Sequence, residues 1–236
     1  MAVITISRQF GSGGDEIANR VCEALGYRQF DKRLIAQVAR EAGLSEQEII
    51  DYNEESHKVL GFFDRLFGRS ATAVEVRVWK EDVSGVRRPE EFRLSEESAL
   101  MLVQKAIQQA HKMGNVVILG RGGQVLLKDQ PDVLHVRIEA SMEERVQRVK
   151  ERLKESRQEF LADIDIRREA QDLIYLRDGA SQDYIRRFYN ADWDDSTLYH
   201  VVINTSKLTV DQSVQLILGL VAEIEKKVDQ PKENVG

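Results

Sequence analysis

The chain predicts an α/β fold in which helices cover both faces of a parallel sheet. Three observations carry that expectation. Short, apolar, β-branched runs recur at "AVITI" (2–6), "NVVILG" (115–120), "VLHVRI" (133–138) and "YHVVINT" (199–205), with a weaker one at "YRQF" (27–30). Long stretches with helical spacing separate them, and strands buried on both faces read as unbroken apolar runs. Three glycines, Gly11, Gly13 and Gly14, cluster where the first strand hands over to a helix, as in a phosphate-binding loop.

The helices follow in order. Residues 14–25 place Ile17, Val21, Ala24 and Leu25 on one stripe, and Gly26 ends the run. Residues 95–113 open with "SEES", a cap with an acidic first turn, and close at "HKMG". Residues 141–155 open with the capping box "SMEE" and become strongly charged. Residues 209–228 open with "TVDQ" and pack Val214, Leu216, Ile217, Leu220, Val221 and Ile224.

Two stretches break the alternation. Residues 57–94 hold "FFDRLF" and the alternating "TAVEVRVW", which read as an insertion with a helix and a short hairpin. Residues 152–195 are helical, rich in charge and read as a lid. The expectation is a single domain over 1–236, with core segments 1–56, 95–151 and 196–228 and a frayed tail at 229–236.

Composition excludes several function classes. The net charge of −6 offers no global positive field for a nucleic-acid polymer or an anionic membrane, so an anionic ligand must be met by local arginines and backbone amides. No apolar run approaches the ~20 residues needed to span a bilayer, and the first residues lack a secretory pattern. Cys22 is the only cysteine, so no intramolecular disulfide forms. These features lead us to expect a cytoplasmic protein.

The glycine loop "SRQFGSGGDEIA" (7–18) has the conformational freedom to let an anion approach, and the helix behind it adds about half a positive charge. It departs from the pattern G-x-x-x-x-G-K-[ST]. Counting back from Gly13, Arg8 stands at the first glycine position, Gly14 at the lysine and Asp15 after it. With one extra glycine, Glu16 would take the hydroxyl position. The lysine and the magnesium-binding hydroxyl are therefore missing. Asp15 and Glu16 also suit a helix N-terminus with no ligand, while Arg8 can restore positive charge from the other side.

Three later stretches join the loop: "GYRQFDKRLI" (26–35), "ILGRGGQVLLKDQPDVLHVRIEASMEERVQRVKER" (118–152) and "DDSTLYHVVINTSKLTVDQSVQLI" (194–217). Together they resemble the cytidylate-kinase-like family, a branch of the P-loop nucleoside monophosphate kinases that commonly lacks the loop lysine. The resemblance implies a three-layer P-loop kinase fold, with a five-stranded parallel sheet, an acceptor-binding insertion and a mobile lid. It also implies ATP-dependent phosphoryl transfer to a nucleoside monophosphate, cytidylate or a related pyrimidine nucleotide, with ATP and Mg2+.

By resemblance, Gly11, Ser12, Gly13, Gly14, Asp15 and Glu16 hold the ATP phosphates, and the loop around Thr205 meets the adenine. Asp31 in "QFDKRL" faces the acceptor nucleotide, or caps the helix beginning there. Arg121 in "GRGG" meets the acceptor phosphate, and Gly122 stands where relatives carry an aspartate. A guanidinium at the carboxyl end of a strand suits a bidentate phosphate contact; a surface position or a core carboxylate partner is the alternative.

Lids deliver arginines over the transferring group. Arg145, Arg148 and Arg152 share one side of a helix, and Arg167, Arg168, Arg177, Arg186 and Arg187 follow. Where relatives carry two lid arginines, this chain has Gly179 and Ser181, with Arg177 or Arg186 as substitutes. That leaves a second reading open, a catalytically degenerate nucleotide-binding protein on a kinase fold. The expected partners are small nucleotides; "FFDRLF" (62–67) reads first as a packing face, with a homodimer through it and "VEVRVW" (74–79) as a further option. "YNADWDDS" (189–196) reads as the hinge to the last strand, with a metal site as the less favoured alternative. The four histidines lack metal spacing.

Overall fold

The computed structural model describes residues 2–30, 73–81, 87–155 and 163–229. Asp31, His57 and the 62–67 run lie outside the described residues. The chain divides into two compact units, Met1–Phe30 with His111–Gly236, and Asp31–Ala110.

In chain order the elements begin with β1 (Val3–Arg8), α1 (Gly14–Leu25) and β2 (Arg28–Gln29). The hairpin strands β3 (Ala73–Glu81) and β4 (Arg87–Ser95) and helix α2 (Glu96–Met113) follow. Then come β5 (Val116–Leu119), the short α3 (Gly123–Leu126), β6 (Val133–Glu139), α4 (Met142–Glu155) and α5 (Asp163–Tyr189). A 3-10 turn (Ser196–Leu198), β7 (Val201–Asn204) and α6 (Val210–Asp229) close the chain.

The first unit is built on a five-stranded sheet of order β2-β5-β1-β6-β7, parallel throughout. β1 lies at the centre, with Ile4 opposite Val117 on one side and Leu134 on the other. Both of its faces are covered, so Thr5 and Ser7, which alternate with Ile4 and Ile6, are buried as well. Ile4, Ile6, Leu134, Val136 and Ile138 share one buried cluster with Ile17, Ala18 and Val21 of α1 and Val214, Ile217 and Val221 of α6. Burying each large aliphatic side chain contributes about 1.5–3 kcal/mol, so this cluster dominates the sheet's stability. Cys22 packs at its margin, and burial followed by Glu23 pushes the thiol pKa up to about 11, as expected for a packing residue.

α4 and α5 form a hairpin through Val146, Val149, Ala170 and Ile174. The "YRQF" strand contracts to Arg28–Gln29, although Phe30 N–H still donates to Val117 O at 2.8 Å. In the second unit, the alternating run pairs antiparallel with β4, Val76 opposite Phe92. Among the described residues no helix is long and apolar enough to cross a membrane.

One charge sits inside the first unit. Arg137 on β6 is fully buried, donates to Glu139 and to Trp193 O, and meets Asp194 Oδ1 at 2.5 Å. Its guanidinium lies 4.4 Å from the Trp193 ring centroid, and Trp193 Nε1 donates to Ser7 Oγ at 2.8 Å. Burial pulls its pKa down, but the Glu139 carboxylate and the Tyr199 hydroxyl outweigh that and hold it above the ordinary value. The arginine thus ties the segment between α5 and β7 to β6, and Trp193 ties it to the end of β1.

Candidate functional site

The glycine loop leaves β1 at its carboxyl end, where the sheet order reverses between β5 and β6. Open α/β sheets bind ligands at that point. Gly11 and Gly13 are left-handed, with φ of +81° and +84°. At Gly11 a Cβ would stand 2.9 Å from Val149 Cγ2 and 3.1 Å from Arg145 O, so the loop lies directly against α4. Gly13 is the N-cap of α1 and offers no side-chain acceptor to the first turn. Among the described residues nothing accepts from the N–H groups of Gly11, Gly13 or Gly14. Ser12 is fully buried and its hydroxyl meets no partner among those residues.

The structure gives a physical reason for the missing lysine. A Cβ on Gly14 would stand 2.5 Å from Arg8 Cβ and 2.8 Å from Arg8 Cγ. The stem of Arg8 fills the space that a side chain at 14 needs, so these two cations exclude one another. Arg8 Nε donates to Asp15 Oδ1 at 3.1 Å, and Glu16 pairs with Arg20 at 3.0 Å. Both first-turn acids are therefore engaged by arginines.

A cleft of about 720 Å³ opens beside the loop, walled by Ser12 and Gly13, by Arg148 and Arg152 of α4, and by Thr205 and the residues leading into α6. That volume is within the range of small-molecule sites. Thr205 Oγ1 donates to Ser12 O at 2.6 Å; Arg148 Nη1 donates to the same carbonyl at 3.1 Å and to Thr205 Oγ1 at 3.0 Å. Arg148 Nη2 reaches Thr205 O at 2.9 Å. One turn earlier, Arg145 Nη1 donates to Phe10 O at 3.3 Å and meets Asp178 Oδ2 at 2.5 Å. Asp178 on α5 also accepts from Phe10 N–H at 2.8 Å. Arg177 lies 5.9 Å from the Phe10 ring centroid, so α5 abuts the loop at this point.

At the end of β5 the turn Gly120–Arg121–Gly122 is left-handed at all three residues, with φ of +71°, +59° and +74°. Flanking glycines tolerate this readily, whereas Arg121 pays about 1–2 kcal/mol. Tyr184 and Tyr189 hold it there, donating to Arg121 O at 3.4 and 3.2 Å. A Cβ on Gly122 would stand 2.3 Å from Tyr189 Cε2, so the aspartate of the relatives has no room here. Burial lowers the Arg121 pKa to about 10; Tyr184 opposes that and Arg8 adds to it. The guanidinium stays charged at neutral pH, within the field of Arg8.

Several sequence expectations thus converge. Arg8, Gly11, Ser12, Gly13, Gly14, Asp15, Glu16 and Thr205 gather around the loop and cleft. Arg121 stands at the neighbouring strand end and Arg177 beside Phe10. Sequence reasoning took Arg145 and Arg148 for lid arginines and did not find their grip on the loop carbonyls, nor the tyrosines behind Arg121. Ser181, at a relative's arginine position, donates to Arg177 O at 3.1 Å within its own helix. Two histidines have structural partners: His111 Nε2 meets Asp132 Oδ1 at 2.9 Å, and His135 Nδ1 lies 2.7 Å from Thr5 Oγ1. Among the described residues no group of three or more metal-ligating side chains assembles, in the 189–196 segment or elsewhere.

Comparison with known proteins adds the family. The model of the cytidylate kinase-like family matches residues 3–207, and the chain belongs to that family. A solved structure of an uncharacterized protein from Eubacterium ventriosum is similar over 94% of this chain and 99% of its own, at 18% identity and a TM-score of 0.59. Shikimate kinase from Acinetobacter baumannii, in complex with shikimate, matches at 15% identity and a TM-score of 0.42, covering 94% of each chain. Shikimate kinase from Bacteroides thetaiotaomicron matches at 13% and 0.46, covering 94% of this chain and 98% of its own. No curated protein matches. The five-stranded parallel sheet with flanking helices is the fold class expected from the sequence.

Proposed function

From membership of the cytidylate kinase-like family we propose that this protein transfers the terminal phosphoryl group of ATP to a nucleoside monophosphate, cytidylate or a related pyrimidine nucleotide. The observation that carries the reading is the loop at the end of β1. Its glycine N–H groups have no protein acceptor among the described residues, and a buried hydroxyl beside them, Ser12 Oγ, is unpartnered. Such groups sit there at a cost unless an anion accepts from them. The adjoining cleft has room for the rest of a nucleotide.

In this reading Gly11, Ser12, Gly13 and Gly14 cradle the phosphates, Arg8 stands in for the lysine, and the nucleotide base occupies the cleft beside Thr205. Arg121 holds the acceptor phosphate, Asp31 orients the acceptor, and Arg177 supplies charge to the transferring group. Phosphoryl transfer is mostly positioning and charge neutralisation, so fixed arginines and amides supply much of what it needs. A magnesium ion would come carried on the nucleotide phosphates: Asp15 and Glu16 are already paired with Arg8 and Arg20, and among the described residues no cluster of metal-ligating side chains assembles to hold one. Such an ion neutralises phosphate charge.

A second reading, nucleotide binding without transfer, has its own support. Tyr189 excludes the aspartate at 122, and Ser181 replaces a lid arginine. Thermal melts with and without ATP, alongside ADP release in the presence of acceptors, separate the two. Stabilisation with turnover supports the kinase, stabilisation without turnover supports the sensor, and no stabilisation by any nucleotide rejects both.

A further inference from the structure

We propose that Arg148 and Thr205 are positioning residues that set the glycine loop for phosphate binding, in place of the order a loop lysine would bring. The inference rests on the nucleotide reading above. Two donors converge on one carbonyl, Ser12 O: the Thr205 hydroxyl at 2.6 Å and the Arg148 guanidinium at 3.1 Å. A trans peptide points its N–H opposite its C=O, so pinning Ser12 O fixes the direction of Gly13 N–H.

That peptide needs fixing. Gly13 has φ +84° and no Cβ, so little else prevents a flip that would turn a carbonyl oxygen toward the anion. Arg148 spends its donors on this task, reaching Ser12 O, Thr205 Oγ1 and Thr205 O together. Arg145 repeats the grip one turn earlier on Phe10 O, with Asp178 closing the loop from the other side. α4 therefore holds two alternate carbonyls of the loop, Phe10 O and Ser12 O. Thr205 is buried, which suits a brace better than a ligand contact.

Titration calorimetry at low temperature tests this with three probes, ATP, inorganic tripolyphosphate and adenosine, the last by competition. The variants are Thr205→Val, which removes the hydroxyl and leaves every charge, and Arg148→Lys, which keeps the charge but cannot span the three oxygens. Each should weaken ATP and tripolyphosphate by roughly tenfold or more, the worth of a charge-assisted or buried hydrogen bond, and weaken adenosine, which the same cleft would hold, by clearly less. Wild-type affinity in both variants overturns the proposal. A loss in Arg148→Lys alone also overturns it, because Arg148 would then act on the phosphate itself. So does an equal loss of adenosine, which marks general damage to the cleft. If wild type binds neither ATP nor tripolyphosphate, the nucleotide reading itself fails.

Discussion

Replacing Gly122 with aspartate would restore the residue that relatives carry after the strand-end arginine, and the structure predicts that it damages the fold. Two costs add. A non-glycine residue at φ +74° loses about 1 kcal/mol, aspartate being among the more tolerant. Its Cβ would also stand 2.3 Å from Tyr189 Cε2 and 2.6 Å from Cζ. The ring cannot step aside cheaply, since its hydroxyl is bonded to Arg121 O at 3.2 Å and its face meets Tyr184 at 5.8 Å. Overpacking of this kind costs about 1–3 kcal/mol. The sum is about 2–4 kcal/mol, a fall in Tm of about 5–15 °C for a chain of this length.

Urea denaturation of Gly122→Asp, Tyr189→Ala and the double variant measures the coupling. With the ring gone, the aspartate should cost only the backbone share, about 1 kcal/mol. An equal penalty in both backgrounds, or no penalty in either, would refute the argument that Tyr189 fills the aspartate's place.

Two further predictions follow from the same geometry. Gly14→Lys reinstalls the loop lysine where Arg8 leaves no room, so it should lower Tm and fail to tighten ATP binding; tighter binding without loss of Tm would contradict the exclusion. Burial, then the neighbouring His200, pulls the His135 pKa down to about 4 from 6.5. The unfolded chain takes up this proton first, so stability is full above about pH 6.5 and falls as the pH drops toward 4, by about 3 kcal/mol in the limit. His135→Asn should lose less stability than wild type between pH 7.5 and 4.5, and parallel curves would assign the loss to other groups.

Much of the sheet was legible because a fully buried parallel strand is written locally. "AVITI", "NVVILG", "VLHVRI" and "YHVVINT" need no distant partner to be read as strands, and they became β1, β5, β6 and β7. The alternating "TAVEVRVW" likewise announced one side of a hairpin. β2 was weaker because only Arg28 and Gln29 join the ladder, and neither is apolar. The glycine loop was legible from its spacing.

What supports the loop was not, because its partners are far apart in the chain. Nothing near Arg145 announces Asp178, and nothing near Gly122 announces Tyr189. The charge of Arg137 in a mostly apolar strand was a local sign of a buried pair, and Glu139 lies two residues on along the same strand, but Asp194 is brought to it by the fold. Charged residues on α4 look like a solvated face until packing shows which of them point at backbone carbonyls. The reason for Gly14 is likewise spatial, since the occupant of the lysine's place comes from six residues upstream.

The most direct test of the central claim is the initial rate of ADP release by purified protein with magnesium and ATP, across a panel of nucleoside monophosphates, with Arg121→Ala alongside. The account predicts turnover with a pyrimidine monophosphate, abolished or nearly so in the variant. No turnover with any acceptor, in protein that ATP still stabilises, would contradict phosphoryl transfer and leave a nucleotide-binding protein on a kinase fold.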